Sequence, residues 1–279
     1  MKIGAHVSSA GGLHNAVDNA VAIEAEAIQC FVSGPTNWRV KDITGADYEL
    51  FKTKAVDAGI GLTYFHGVYL INFGSPNPEF IVKSVDSLTR YQQVAAGIGG
   101  AGTIFHVGSH KNQGFEQVLP QVISCMTKVL EATPDGPDLI IENSAGMGHS
   151  IGSSWSEIGQ IIKGVGSPKV KVCLDTQHSF ANGYNLAHKD GINEVMDEFD
   201  REIGIEKLVA VHANDSKVPF LGGLDRHENI GKGYIGLEGF QTIMAHPAFQ
   251  KATFLLEVPG LDGEGVDKEN VQILKKMRG

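Results

Sequence analysis

Apolar positions along the chain fall into eight short runs of strand character: Lys2–Ser8, Ala27–Ser33, Gly61–Gly67, Gly102–Gly108, Asp138–Ser144, Val170–His178, Leu208–Ser216 and Ala252–Pro259. The sixth is nearly continuous in its apolar residues. A parallel strand covered on both faces gives that pattern, whereas a strand with one wet face alternates. Between the first two runs, Leu13, Ala16, Val17, Ala20, Val21 and Ile23 recur at the spacing of one helix face, with Asp18 and Asn19 turned away. Tyr48–Ala58 reads as a second helix stopped by Gly59. Asn77-Pro78 supplies the cap and first-turn proline of a third, which carries Ile81, Val85, Leu88, Tyr91, Val94 and Ile98. Further helices are predicted at Phe115–Leu130, Trp155–Val165, Glu194–Ile203, Leu237–Ala245 and Val266–Met277.

Strand and helix alternating eight times over 279 residues predicts the α/β class and a single (β/α)8 TIM barrel spanning residues 1–279, with its active site at the C-terminal ends of the strands. A doubly wound open sheet is the structural alternative. No Gly-x-Gly-x-x-Gly follows the first run, and no Gly-Lys-Ser/Thr occurs. No linker or low-complexity segment divides the chain.

With 42% hydrophobic residues the chain can bury a large core, and 20% charged residues is too few for a disordered acidic protein. A formal charge of −9 argues against nucleic-acid binding by a basic surface. Three divalent ions would reverse that locally, adding six positive charges where a phosphate would sit. Cys30, Cys125 and Cys173 form no Cys-x-x-Cys pair, which points to buried thiols in a reducing compartment. The opening Met1–Val7 reads as a strand rather than a leader, and no apolar run reaches the ~20 residues of a membrane span. A cytoplasmic protein is expected. The 35 glycines fit many tight connections between short elements.

The chemistry lies at the ends of the runs, where one reads His6, Ser33, His66, His106, Glu142, Asp175, His212 and Glu257. Parallel barrel strands all end on one face, so these side chains should converge on one basin. Ordinary solvent-facing strand ends would carry assorted polar residues, not four histidines and three carboxylates. A single histidine after an apolar run is most simply a hydrogen-bonded core residue. Glu142 and Glu257 are harder to explain so: each ends a buried run, costing several kcal/mol unless paired, protonated or metal-bound. Lys and Arg are absent from the fifth, seventh and eighth runs, which leaves metal as the simplest counter-charge. His178, and Asp225 and His227 around Arg226, add candidates from loops. His14, His110, His149, His188 and His246 are read as surface or supporting residues.

Several segments together resemble the endonuclease IV family of abasic-site endonucleases. They are His66-Gly67-Val68-Tyr69-Leu70-Ile71-Asn72, Phe105-His106-Val107-Gly108-Ser109-His110, Ile141-Glu142-Asn143-Ser144-Ala145-Gly146, Leu174-Asp175-Thr176-Gln177-His178, His212-Ala213-Asn214-Asp215-Ser216-Lys217 and Asp225-Arg226-His227-Glu228-Asn229-Ile230-Gly231. The likeness runs from Gly4-Ala5-His6 to Glu257.

This resemblance implies three zinc ions per chain, with manganese an alternative at one site. His66, His106 and Glu142 would hold the first; Glu142, Asp175, His212 and Glu257 the second; His178, Asp225 and His227 the third. It implies a repair endonuclease acting on double-stranded DNA with abasic sites or blocked 3′ ends. The phosphodiester 5′ to the lesion would be cut by metal-bound hydroxide, leaving a 3′-hydroxyl and a 5′-deoxyribose phosphate, and blocked 3′ ends would be trimmed. Glu142 and Glu257 would be the catalytic carboxylates, Trp38, Tyr69 and Leu70 the substrate contacts, and the protein a monomer. One departure stands out. After the second strand the family usually carries a Lys-Asn pair and an arginine before the tryptophan, whereas this chain reads Ser33-Gly34-Pro35-Thr36-Asn37-Trp38, so phosphate anchoring there should be weaker.

A divalent-metal sugar isomerase or epimerase of the same barrel type is the main alternative. It would use Glu142, Asp175, His212 and Glu257, and leave the remaining candidates unexplained. A damage-binding protein without turnover is a third reading, against which the full ligand set counts.

Overall fold

The computed structural model describes residues 1–40 and 42–279. Eight parallel strands, β1 (Lys2–His6), β2 (Ala27–Cys30), β3 (Leu62–His66), β4 (Gly102–Phe105), β5 (Asp138–Glu142), β6 (Val170–Asp175), β7 (Leu208–His212) and β8 (Thr253–Leu256), pair in chain order and close where β8 returns to β1. Around them run α1 (Asn15–Ala22), α2 (Gly45–Asp57), α3 (Pro78–Ile98), α4 (Phe115–Ala132), α5 (Trp155–Val165), α6 (Thr176–Ala181), α7 (Lys189–Glu202), α8 (Gly236–Ala245) and α9 (Lys268–Arg278). This is the (β/α)8 TIM barrel expected from the alternation. The bounds of α3 are set as its sequence suggests: Asn77 Oδ1 accepts from the Glu79 amide, Pro78 opens the helix, and Gly99 takes the left-handed conformation at its end.

Most departures from the sequence expectation lie at the C-terminal rim. Strand β2 stops at Cys30 rather than Ser33, and β6 stops at Asp175 because its carboxylate caps the short helix α6, accepting from the His178 amide. Helix α7 begins at Lys189 rather than Glu194; Ile192 continues the buried stripe of Val195, Met196 and Phe199. An antiparallel pair of two-residue strands, Asp215–Ser216 with His227–Glu228, was not foreseen. No helix among the described residues is long and apolar enough to cross a membrane.

Two faces of the same strands build two cores. Residues such as Phe65, Phe105, Ile141, Leu174, Val211 and Phe254 face the helices. A separate cluster of Ala27, Tyr64, Ile104, Ile140, Cys173, Ala210 and Leu255, one from each of β2 to β8, fills the barrel interior. Gly4 of β1, paired with Leu255, completes this layer; a Cβ there would lie only 2.5 Å from the Ala27 carbonyl oxygen. Side chains two apart on a strand share a face. Two residues beyond the eight interior positions stand His6, Gln29, His66, His106, Glu142, Asp175, His212 and Glu257. The packing layer therefore carries a polar layer directly above it, at the C-terminal mouth.

Candidate metal centre

Glu142 is the hub of that polar layer. It is buried, and its Oε2 lies 3.0 Å from His66 Nε2 and 3.3 Å from His106 Nε2, while its Oε1 lies 2.9 Å from His212 Nδ1 and 3.3 Å from His178 Nδ1. His212 Nδ1 is also 3.4 Å from Glu257 Oε2 and 3.8 Å from Asp175 Oδ2. The register that aligns Asp175 with His212 passes through an irregularity between Val172 and Cys173 in the β6–β7 pairing, which brings the two side chains level. Two groups of donor atoms within ion-binding reach share Glu142: His66, His106 and Glu142, then Glu142, Asp175, His212 and Glu257.

A third group, Asp175, His178 and His227, adjoins them. Asp225 Oδ1 lies 3.3 Å from both His178 Nε2 and His227 Nε2, so the predicted trio of His178, Asp225 and His227 meets at one point, with Asp175 beside it. Asp225 is the exposed member, about half accessible. Both Nε2 atoms are buried and lack a hydrogen-bond partner, an arrangement that costs free energy unless a cation takes their lone pairs. Their opposite nitrogens are anchored: His178 Nδ1 on the Asn143 carbonyl at 3.0 Å and His227 Nδ1 on the Glu257 carbonyl at 3.2 Å. His66 Nδ1 is likewise held by the Gly67 carbonyl at 2.7 Å. Histidines oriented in this way present the remaining nitrogen as a ligand. The mixed imidazole and carboxylate donor set fits zinc or manganese.

Burial opposes ionisation of Glu142, yet the charges of His106 and His212 hold its carboxyl well below the usual range. Burial likewise works against protonated His178, and Asp175 and Asp225 raise it well above its ordinary value. Burial pushes His106 down. The partners of Glu142 were not visible in its own segment because they are imidazoles from β3, β7, α6 and the residue after β4.

Sequence reasoning missed three supporting residues. Gln29 lies between His212 and Glu257, Asn214 Nδ2 donates to Asp175 Oδ2 at 2.7 Å, and Asn143 Oδ1 accepts from the Asp175 amide at 2.7 Å. The signal was available: Asn143 and Asn214 follow strand-end ligands by one and two residues, and Gln29 sits two beyond an interior alanine. Among the expected substrate contacts, Tyr69 is exposed beside His66 and Phe31, and its amide donates to the Pro35 carbonyl, tying the β3 loop to the β2 loop. Trp38 and Leu70 are half-buried against the core, Trp38 edge-on to Phe80. Arg39, Lys111, Lys217, Arg226 and Lys232 are exposed cations in loops that rise beyond the strand ends.

Residues 17–277 match the family described as xylose isomerase-like TIM barrel. Over 277 residues the chain is 36% identical to a protein of Halothermothrix orenii named probable endonuclease 4, covering 99% of this chain and 100% of that one. A Geobacter protein of the same name is also 36% identical, covering 99% of this chain and 98% of its own. The crystal structure of endonuclease IV from Thermus thermophilus matches with a TM-score of 0.87 at 30% identity, covering 99% of this chain and 98% of that one. A D-tagatose 3-epimerase-like protein matches with a TM-score of 0.76 at 17% identity and shares the fold alone.

Proposed function

Because the chain belongs to the endonuclease IV family, we propose that it hydrolyses the phosphodiester 5′ to abasic sites in duplex DNA, leaves a 3′-hydroxyl and a 5′-deoxyribose phosphate, and trims blocked 3′ ends. Family membership makes it a hydrolase of the nuclease class acting in DNA repair. The observation that carries the finer reading is the size of the donor set. A sugar isomerase of this barrel type needs one ion and four ligands, which Glu142, Asp175, His212 and Glu257 would supply. That leaves without purpose His66, His106, and the unpaired Nε2 atoms of His178 and His227 beside Asp225.

In this reading His66, His106 and Glu142 would hold one zinc ion, Glu142, Asp175, His212 and Glu257 a second, and His178, Asp225 and His227 a third, with manganese an alternative at one of them. Bound divalent ions supply Lewis acidity, lowering the pKa of water and offsetting phosphate charge. The chain's own residues supply the rest. Glu142 orients the attacking water between the β3, β4 and β7 histidines. Glu257 receives its proton, its Oε1 fixed by the Gln29 amide at 2.6 Å. Attack forms one P–O bond as the bond to the 3′ oxygen of the preceding nucleotide breaks, and that oxygen takes up a proton. Tyr69, exposed at the rim, would enter the gap left by the missing base, with Trp38 and Leu70, half-buried against the core, supporting the loops behind it.

The test is an end-labelled duplex with one stable abasic analogue, incubated with protein as purified and mapped at nucleotide resolution. Cutting immediately 5′ to the lesion, lost on chelation and restored by zinc, is expected. No cutting by protein shown to carry its metals, with interconversion of a ketose and an aldose instead, would transfer the assignment to the isomerase class.

A further inference from the structure

We propose that Gln29 is a positioning residue that selects Nδ1 of His212 and Oε2 of Glu257 as the atoms offered to a divalent cation. The inference rests on the metal-centre reading above and deepens it. Gln29 is fully buried on β2 and occupies that strand's place in the polar layer, where its neighbours are all histidines or carboxylates. Its Nε2 lies 2.6 Å from Glu257 Oε1 and 2.9 Å from His6 Nδ1, and its Oε1 lies 2.8 Å from His212 Nε2. The two ends of an amide are not equivalent. Rotated by half a turn, it would press its oxygen against a carboxylate oxygen, so the orientation is fixed by Glu257.

Once the orientation is fixed, so is the neighbour. Gln29 Oε1 can only accept, so His212 keeps its proton on Nε2 and carries its lone pair on Nδ1. That nitrogen faces Glu142 Oε1, Glu257 Oε2 and Asp175 Oδ2 at 2.9, 3.4 and 3.8 Å, the other three donors of its group. Glu257 Oε1 is likewise taken by the amide, leaving Oε2 to turn inward. His66, His178 and His227 are anchored differently: each rests Nδ1 on a backbone carbonyl and offers Nε2. A backbone carbonyl survives any substitution. His212 alone among these four has its ligating face chosen by a side chain, so one mutation can release it.

The experiment titrates metal-free protein with Co(II) alone, reading visible d–d absorption, alongside Gln29→Met, which keeps the volume and removes both polar ends. Gln29→Met should weaken one ion roughly 10- to 100-fold and change its ligand-field spectrum, with the other ions unaffected. A residue that only fills space would leave stoichiometry, affinity and spectrum at wild-type values, and that result would overturn the proposal. Should the variant fail to fold, histidine 15N NMR of the zinc-loaded wild type decides: a ligand histidine bonded through Nδ1 with its proton on Nε2 is expected, and coordination through Nε2 at His212 refutes it. If wild-type protein takes up no cobalt, the metal-centre reading itself falls. If it does and Gln29→Met behaves identically, only the role of Gln29 falls.

Discussion

Asp215 offers the sharpest test of how the loop bearing His227 is held. Its carboxylate is fully buried and no cation among the described residues pairs with it. Instead Oδ1 accepts from the amides of Ser216, Ile235 and Gly236 at 2.8, 2.9 and 3.3 Å, and Oδ2 from those of Gly231, Gly233 and Gly236 at 2.9, 3.1 and 3.2 Å. Five backbone dipoles thus neutralise one charge, and in doing so they gather the segment between His227 and α8. Asp215→Asn changes almost no volume. Whichever way the new amide turns, its oxygen serves one side of this nest and its NH2 confronts donors on the other. Two amides lose their acceptor: either Gly231 and Gly233, or Ser216 and Ile235. At about 1–3 kcal/mol for each buried donor left unpaired, the loss is about 4 kcal/mol.

Urea unfolding of chelated protein at neutral pH measures this without a contribution from bound metal. Asp215→Asn should unfold at markedly lower urea with an unchanged slope, and Asp215→Ala, which strands all five amides, at lower urea still. A loss below about 1 kcal/mol for Asp215→Asn would refute the reasoning, since it would mean that water or a shifted backbone readily replaces the carboxylate.

Further outcomes follow from other parts of the molecule. Gly4→Ala would set a Cβ 2.5 Å from the Ala27 carbonyl oxygen and 2.8 Å from its Cβ inside the barrel, costing about 3 kcal/mol or more; Gly45→Ala at the start of α2, with nothing within 4 Å, should be neutral or slightly stabilising in the same urea assay. Against burial, which acts the other way, the Arg278 guanidinium and the Ile3 amide hold the Glu26 carboxyl down at about 2. A depressed carboxylate stabilises above its unfolded pKa and ceases to as pH falls through its folded one, so the gap between wild type and Arg278→Ala, about 1 kcal/mol after solvent screening, should be full above pH ~4.5 and close toward pH 2. A gap unchanged at pH 2.5 in unfolding experiments would contradict this. Tyr69→Ala should leave unfolding within about 1 kcal/mol of wild type and weaken binding to an abasic-analogue duplex roughly tenfold, whereas equal affinity would remove Tyr69 from the DNA contact.

How much of this was legible in the chain depended on which residues obey a local period. The strands were, because Val170 to Leu174 and its counterparts are apolar on both faces, and the ends of those runs named seven of the eight residues in the polar layer. The eighth was lost at β2. The apolar character there continues through Phe31 and Val32, so the run was followed to Ser33, past the point where the chain leaves the barrel. Counting two from the interior alanine, rather than reading the last residue of the run, would have given Gln29. The same rule separates two kinds of information in a barrel: periodicity places a side chain in the basin, but its partner is set by a strand far away in sequence. Glu142 illustrates this, since its apparent lack of counter-charge in its own segment dissolves once imidazoles from β3, β7 and α6 surround it. Asp215 is the opposite case. It ends no apolar run and faces no side-chain partner, and its five amides belong to residues in sequence places that only a folded loop brings together. A carboxylate satisfied by backbone alone leaves no pattern of residue types, so stability of the His227 loop had to be read from the fold.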